Sequence, residues 1–231
     1  HVTEDHALEA IESARNGRPQ EGNVGGGTGM MTYEFKGGTG TSSRQVTIAG
    51  NSWIVGAQVQ SNFGVRHQLS ILGVPVGQEI TDKAHFSEMG ESEQGSIIVV
   101  IGTDAPLLPN QLRRLAKRGA LGIARTGSSG GHYSGDIILA FSVANDRDIN
   151  RRNAETPSVL QNMTCLDDHY LDAIYEAAVQ SVEEAIINAL VAAETVPLVK
   201  PAGKSWHKLD HQKLREVMAK YNRLNDQSVF G

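Results

Sequence analysis

"EQGSIIVVIGTDAPLLP", residues 93–109, sets a Gly-Ser pair directly before five consecutive β-branched residues, Ile97, Ile98, Val99, Val100 and Ile101. An apolar run of that length, bounded by turn residues, reads as a buried central strand. The stretch before it, "TDKAHFSEMGESEQG" (81–95), holds almost nothing that would pack. Two readings follow. Residues 81–95 are a loop entering a strand, or the chain is meant to be cut at Gly95–Ser96. A Gly-Ser pair by itself is common and does not decide between them.

On the C-terminal side, "APLLPNQLRRLAKRGALG" (105–122) predicts a helix entered through prolines and closed by glycine, with Leu112, Leu115 and Ala116 inward. "DIILAFSVAN" (136–145) predicts a further strand. A long helix follows over about 166–194, with Leu171, Ile174, Ala178, Val182, Ala185, Ile186, Ala189 and Ala193 as its apolar stripe and Pro197 just beyond. "DHQKLREVMAKYN" predicts a last amphipathic helix. On the N-terminal side, "TEDHALEAIESARNG" reads as a short helix capped by Thr3 or Asp5, with Ala7, Leu8 and Ile11 along one side. Three strands are expected next, "MMTYEFK", "RQVTIAG" and "SWIVGAQVQ", as an antiparallel meander. In the last, Trp53, Val55, Ala57 and Val59 form one wholly apolar face. The order predicts sheets covered by helices, not a strict βα alternation.

The 231 residues suffice for a large core, and 39% hydrophobic with 20% charged residues is ordinary globular composition. A net charge of -5 argues against a nucleic-acid surface. The one dense basic run, Arg113, Arg114, Lys117 and Arg118, reads as the solvated face of a helix. A single cysteine, Cys165, excludes an internal disulfide and a thiolate metal cluster. No apolar run reaches the roughly 18 residues of a membrane helix. The location is left open, with the cytoplasm as the default expectation.

Several motifs dissolve on inspection. "KGGTGTSS" has the composition of a phosphate loop, but Lys36 precedes its glycines and a strand follows, so no helix N-terminus faces an anion. Tight turns, or a backbone approached closely by a ligand, explain the glycines better. His207 and His211 are spaced for one helix face but have no third ligand nearby. His132 stands in a glycine-serine loop with nothing local to mark it as a base. "GSSGG" around Ser129 matches G-x-S-x-G but leads into a strand, the reverse of a nucleophile elbow. Ser96 is different in kind. Cut from Gly95, it would gain an α-amine of pKa roughly 7.7–8.0, able to act as a base for its own hydroxyl.

Five stretches, "GGGTGM" with "FKGGTGTSSR", "VQSNFG", "VGQE", "GSIIVVIGTDAPLLPNQLRRLAKR" and "GIARTGSSGGHYSGDIILAFS", run in order through nearly the whole chain. Together they resemble the self-cleaving L-aminopeptidase/D-esterase-amidase family, which includes the β-aminopeptidases. The resemblance implies an α/β fold, a four-layer αββα sandwich like that of N-terminal-nucleophile hydrolases but with different connectivity. It implies one domain over residues 1–231, cut at Gly95–Ser96 into an α-chain part, 1–95, and a β chain, 96–231. Ser96 would be the nucleophile, Asn62 the oxyanion donor, and Ser134 and Asp136 the serine and acidic residue beside it. No metal or organic cofactor is implied. The expected substrate is a small peptide, amino-acid amide or ester with a free amino terminus. The expected assembly is a homo-oligomer of processed αβ units, with no nucleic-acid or membrane partner. Family members extend further on the N-terminal side, where the resemblance puts a tyrosine and an acidic residue for the substrate's amino group; no residue here takes those roles. The related ornithine acetyltransferases share architecture and self-cleavage but use threonine where this chain has Ser96. A non-catalytic binding protein that keeps the fold is the alternative from another class.

Overall fold

The computed structural model describes residues 2–86, 92–145 and 162–224. Along the chain come α1 (Glu4–Glu12), a 3-10 turn (Gly25–Gly29), and the short strands β1 (Met31–Thr32) and β2 (Phe35–Lys36). The long strands β3 (Gly38–Ile48) and β4 (Asn51–Asn62) follow, then α2 (Val76–Glu79), β5 (Ser96–Thr103), α3 (Pro109–Arg125) and β6 (Ile137–Ser142). The chain closes with α4 (Leu171–Val191), the pair β7 (Val196–Pro197) and β8 (Ser205–Trp206), and α5 (His211–Lys220).

The main sheet has the order β3-β4-β5-β6. Its first three strands are antiparallel neighbours, and β6 lies parallel to β5 across the α3 crossover. Alternation decides the faces. Val55, Ala57 and Val59 of β4 and Ile97, Val99 and Ile101 of β5 are buried against α3 and α4. Each large aliphatic side chain so buried is worth about 1.5–3 kcal/mol relative to exposure. All eight residues of the predicted α4 stripe are buried. The helix begins at Leu171, later than expected, because Asp168–Tyr170 form a 3-10 turn in which the Asp167 carboxylate accepts from the His169 amide.

The opposite sheet face is open among the described residues, with Ile98, Ile137, Leu139 and Phe141 between 45% and 60% exposed. The main sheet and the helices on its covered face thus form one sheet layer and one helical layer of an α/β fold, with β1–β2 and β7–β8 as separate two-stranded sheets. α1 forms where expected, but all its residues are solvent-exposed, Leu8 and Ile11 included. The basic run of α3 is partly engaged: Arg114 pairs with Asp168, and Arg118 covers the Tyr175 ring.

Two departures come from tertiary contacts. "MMTYEFK" is not one strand but a hairpin, turned at Tyr33 (φ 50°) and Glu34 (φ 62°). Both residues take the left-handed conformation that L side chains rarely adopt. Tertiary bonds hold them there: Tyr33 Oη meets Thr126 Oγ1 at 2.7 Å, and the buried Arg66 guanidinium donates to the carbonyls of Tyr33 at 2.9 Å and Glu34 at 2.8 Å. The glycine cluster after it, expected as a turn, is instead the first part of β3. A Cβ at Gly40 would lie 1.9 Å from the Ala185 carbonyl oxygen, so the glycine is there to admit α4.

Candidate active site

β4 ends and β5 begins at one edge of the sheet, where Asn62 and Ser96 are register partners. Directly paired residues project to the same side, and alternation from the buried Val59 and Ile97 puts both side chains on the open face, opposite the helices. The parallel crossover brings a third piece to this edge. Ile137 pairs with Ile98, which sets Asp136 beside Ile97, and the Asp136 Oδ1 atom accepts from the Ile97 amide at 3.1 Å. The same oxygen accepts from Ser134 Oγ at 2.6 Å. The Gly135 amide donates to Ser96 Oγ at 2.8 Å. The four side chains singled out in the sequence, Asn62, Ser96, Ser134 and Asp136, therefore meet at one end of the sheet, although they come from three separate segments.

Asn62 is oriented by its neighbour. Its Oδ1 accepts from the Met31 amide at 2.9 Å, which leaves the Nδ2 amino group as the donor end. Asn62 lines a cleft of about 590 Å³ together with Gly29, Met31, Glu93, Gly95 and Trp206. The segment before Ser96 thus forms part of the cleft wall. Glu93 ties it down by accepting from the Gly64 amide at 2.6 Å. Gly95 lies against the turn after β4; a Cβ there would be 1.9 Å from the Asn62 carbonyl oxygen, so only glycine fits immediately before Ser96.

Several residues of this edge carry no chemical mark in the sequence. Gly135 contributes only its amide, and Glu93 looks like one more charge in a polar run. Lys36, dismissed as a phosphate-loop lysine, is fully buried, and burial pulls its pKa down to about 8. The other candidates lie elsewhere. Ser129 is exposed in the loop between α3 and β6, and His132 is exposed with its ring against Tyr133. His207 and His211 line a separate cleft of about 360 Å³ with Arg66, Lys83 and Lys213. Among the described residues, no group of three or more His, Cys, Asp or Glu side chains is placed to hold a metal ion.

What the edge can do follows from its parts. A hydroxyl held by a backbone amide, an amide donor across the ladder and a serine–carboxylate pair together suit acyl transfer through serine. Known proteins point the same way. The chain is 46% identical over 238 residues to a β-peptidyl aminopeptidase, BapA, of Sphingosinicella microcystinivorans, covering 97% of this chain and 58% of the relative. The solved structure of the L-aminopeptidase D-Ala-esterase/amidase of Ochrobactrum anthropi matches with a TM-score of 0.88 and 46% identity, over 97% of this chain and 59% of that one. That protein is described as a prototype for the serine aminopeptidases and a variant of the Ntn hydrolase fold. A Burkholderia β-aminopeptidase matches with a TM-score of 0.82 and 39% identity, over 95% and 59% of the two chains. The chain spans a little under three-fifths of the length of these relatives. The profile of peptidase family S58 matches residues 1–202, and the chain belongs to that family.

Proposed function

We propose that the protein is a self-processing serine aminopeptidase and amidase. It releases the N-terminal residue of small peptides, amides or esters. The observation that carries this reading is the meeting of Ser96, Asn62 and the Ser134–Asp136 pair at the sheet edge beside the cleft. The activities for which the relatives are named, β-peptidyl aminopeptidase and L-aminopeptidase D-Ala-esterase/amidase, support the substrate class.

Processing comes first. Ser96 Oγ attacks the Gly95 carbonyl, the Gly95–Ser96 amide becomes an ester, and water hydrolyses it to a Gly95 carboxylate and a free Ser96 amine. The α-chain part then ends at Gly95 and the β chain runs from 96 to 231. In turnover the new amine, at a pKa roughly 7.7–8.0, takes the proton of Ser96 Oγ as that atom attacks the substrate carbonyl. Asn62 Nδ2 donates to the developing oxyanion. The Ser134–Asp136 pair orients the ammonium and passes its proton to the leaving amine. Water then releases the acyl group from Ser96. The processed αβ units assemble as homo-oligomers, which native mass spectrometry would count.

The test joins intact mass with N-terminal sequencing, on the wild type and on Ser96→Ala. The expected result is a β chain beginning Ser-Ile-Ile-Val in the wild type and an uncut mutant chain. Turnover of the p-nitroanilides of L-alanine and β-alanine should disappear with Ser96→Ala. A wild type that stays whole, or an alanine variant that still turns over, would sink the proposal.

A further inference from the structure

Lys36 has no part in the chemistry above, yet it is a fully buried cation beside residues that line the cleft. It is 0% exposed, and its ammonium donates three hydrogen bonds, each to a main-chain carbonyl: Gly27 at 2.9 Å, Met30 at 2.9 Å and Gly37 at 2.7 Å. A buried ammonium held only by neutral acceptors opposes folding, as its lowered pKa reflects. The first two carbonyls belong to the glycine turn that lines the cleft and to its cap residue just before β1, and the third to the residue between β2 and β3.

The middle one matters most. The Met30 carbonyl accepts from Lys36 Nζ and from the Gly37 amide at 3.0 Å. In the same peptide unit, the Met31 N–H donates to Asn62 Oδ1 at 2.9 Å. A peptide unit is planar and its trans C=O and N–H point in opposite directions. Fixing the carbonyl therefore fixes the direction of the N–H. A carbonyl drawn toward a cation also makes its own N–H a stronger donor.

We propose that Lys36 is a positioning residue for Asn62: its ammonium locks the Met30–Met31 peptide, whose N–H engages Asn62 Oδ1 and turns the Nδ2 amino group toward the reacting carbonyl. The proposal rests on the oxyanion role given to Asn62. An Asn side chain not held in this way can rotate and present oxygen, an acceptor, where a donor is needed.

A double-mutant cycle on the full protein tests it, with kcat and KM measured on the L-alanine and β-alanine p-nitroanilides and hydrogen exchange followed at the Met31 amide. Asn62→Ala alone should cost about 10²–10³ in kcat. Lys36→Met, similar in length but unable to donate, should cost roughly tenfold in kcat with KM within about threefold, and should speed Met31 exchange by about tenfold or more relative to Val59. In the Asn62→Ala background the same change should cost less than about threefold, since its route to the chemistry is gone. Equal losses in both backgrounds, or a fall in kcat with Met31 exchange unchanged, would overturn the positioning role alone. Full kcat in Asn62→Ala would overturn the oxyanion role and this proposal with it, while turnover by Ser96→Ala would overturn the enzyme reading itself. Should Lys36→Met fail to fold, Lys36→Gln, which keeps a neutral donor, goes through the same cycle.

Discussion

Ser96 Oγ accepts from the Gly135 amide, and that bond orients the hydroxyl without removing its proton. The carboxylate of Asp136, the residue after Gly135, takes Ser134 Oγ and the Ile97 amide on its Oδ1. Asp136→Asn keeps the shape and the acceptor oxygen but abolishes the charge. Its expected effect is a fall of about 10²–10⁴ in kcat, the usual scale for a lost proton-transfer group. Steady-state kinetics on the processed variant checks it, and a loss confined to KM would count against the assignment. Lys36 gives a second prediction, now of stability. Burial lowers its pKa to about 8. Between that pH and roughly 10.4 the unfolded chain keeps a proton that the folded chain has released, so stability rises with pH across this window. Tyr33 acts in the other direction above about pH 10, because burial raises its phenol and the unfolded chain ionises first. Urea unfolding at pH 7.5 and 9.5 should show the wild type gaining about 1–2 kcal/mol relative to Lys36→Met. Ser96 stands out in the sequence for the amine that a cut before it would create, whereas Asn62, Ser134 and Asp136 were legible only through the resemblance of whole motifs; as isolated residue types they are ordinary. Lys36 was not legible at all, because its acceptors are backbone atoms of Gly27, Met30 and Gly37, and carbonyls leave no signature in a sequence.

At the scale of elements, residues with strong periodicity were readable and glycine was not. α4 and the apolar face of β4 follow from alternation and a 3.6-residue repeat, which local physics dictates. The N-terminal part of β3 reads as loop because glycine is rare in strands, and only the approach of α4 explains it. Gly40 and Gly56 separate these effects within one sheet. At Gly40 a Cβ would lie 1.9 Å from the Ala185 carbonyl oxygen and 2.7 Å from the Ala189 amide nitrogen. At Gly56, on the open face, the nearest atom would be 3.8 Å away. Gly40→Ala is therefore expected to destabilise by about 3 kcal/mol, from overpacking against α4. Gly56→Ala should be neutral or stabilising by up to about 1 kcal/mol, because the unfolded chain loses freedom. Urea midpoints of the two variants measure both, and similar losses at the two positions would refute the packing account.

For the whole molecule, the consequence of a cut at Gly95–Ser96 follows from where that bond lies in the sheet. β3 and β4 belong to the part before it, while β5, β6, α3 and α4 belong to the part after it. Yet β4 and β5 are paired continuously from Val55↔Thr103 to Asn62↔Ser96, and α4 covers both β3 and β4. The two parts share one core: Val55 and Val59 on one side of the cut, and Ile97, Val99, Ile101, Val182 and Ile186 on the other, are all completely buried. Such a cut would remove a single covalent link, and neither the β4–β5 ladder nor the shared core runs through that bond. Such an interface is a domain core divided in two, the kind that holds obligate complexes together. The processed fragments are therefore expected to stay together at low concentration in native buffer and to part only in denaturant. Their unfolding midpoint should then depend on protein concentration, as for an obligate dimer, whereas that of uncut Ser96→Ala should be less sensitive to it. Size-exclusion chromatography of the cut protein, followed by denaturing electrophoresis of each fraction, decides the matter. Co-elution of both fragments fits a sheet built across the cut; separate elution under native conditions would mean that the β4–β5 ladder does not survive processing.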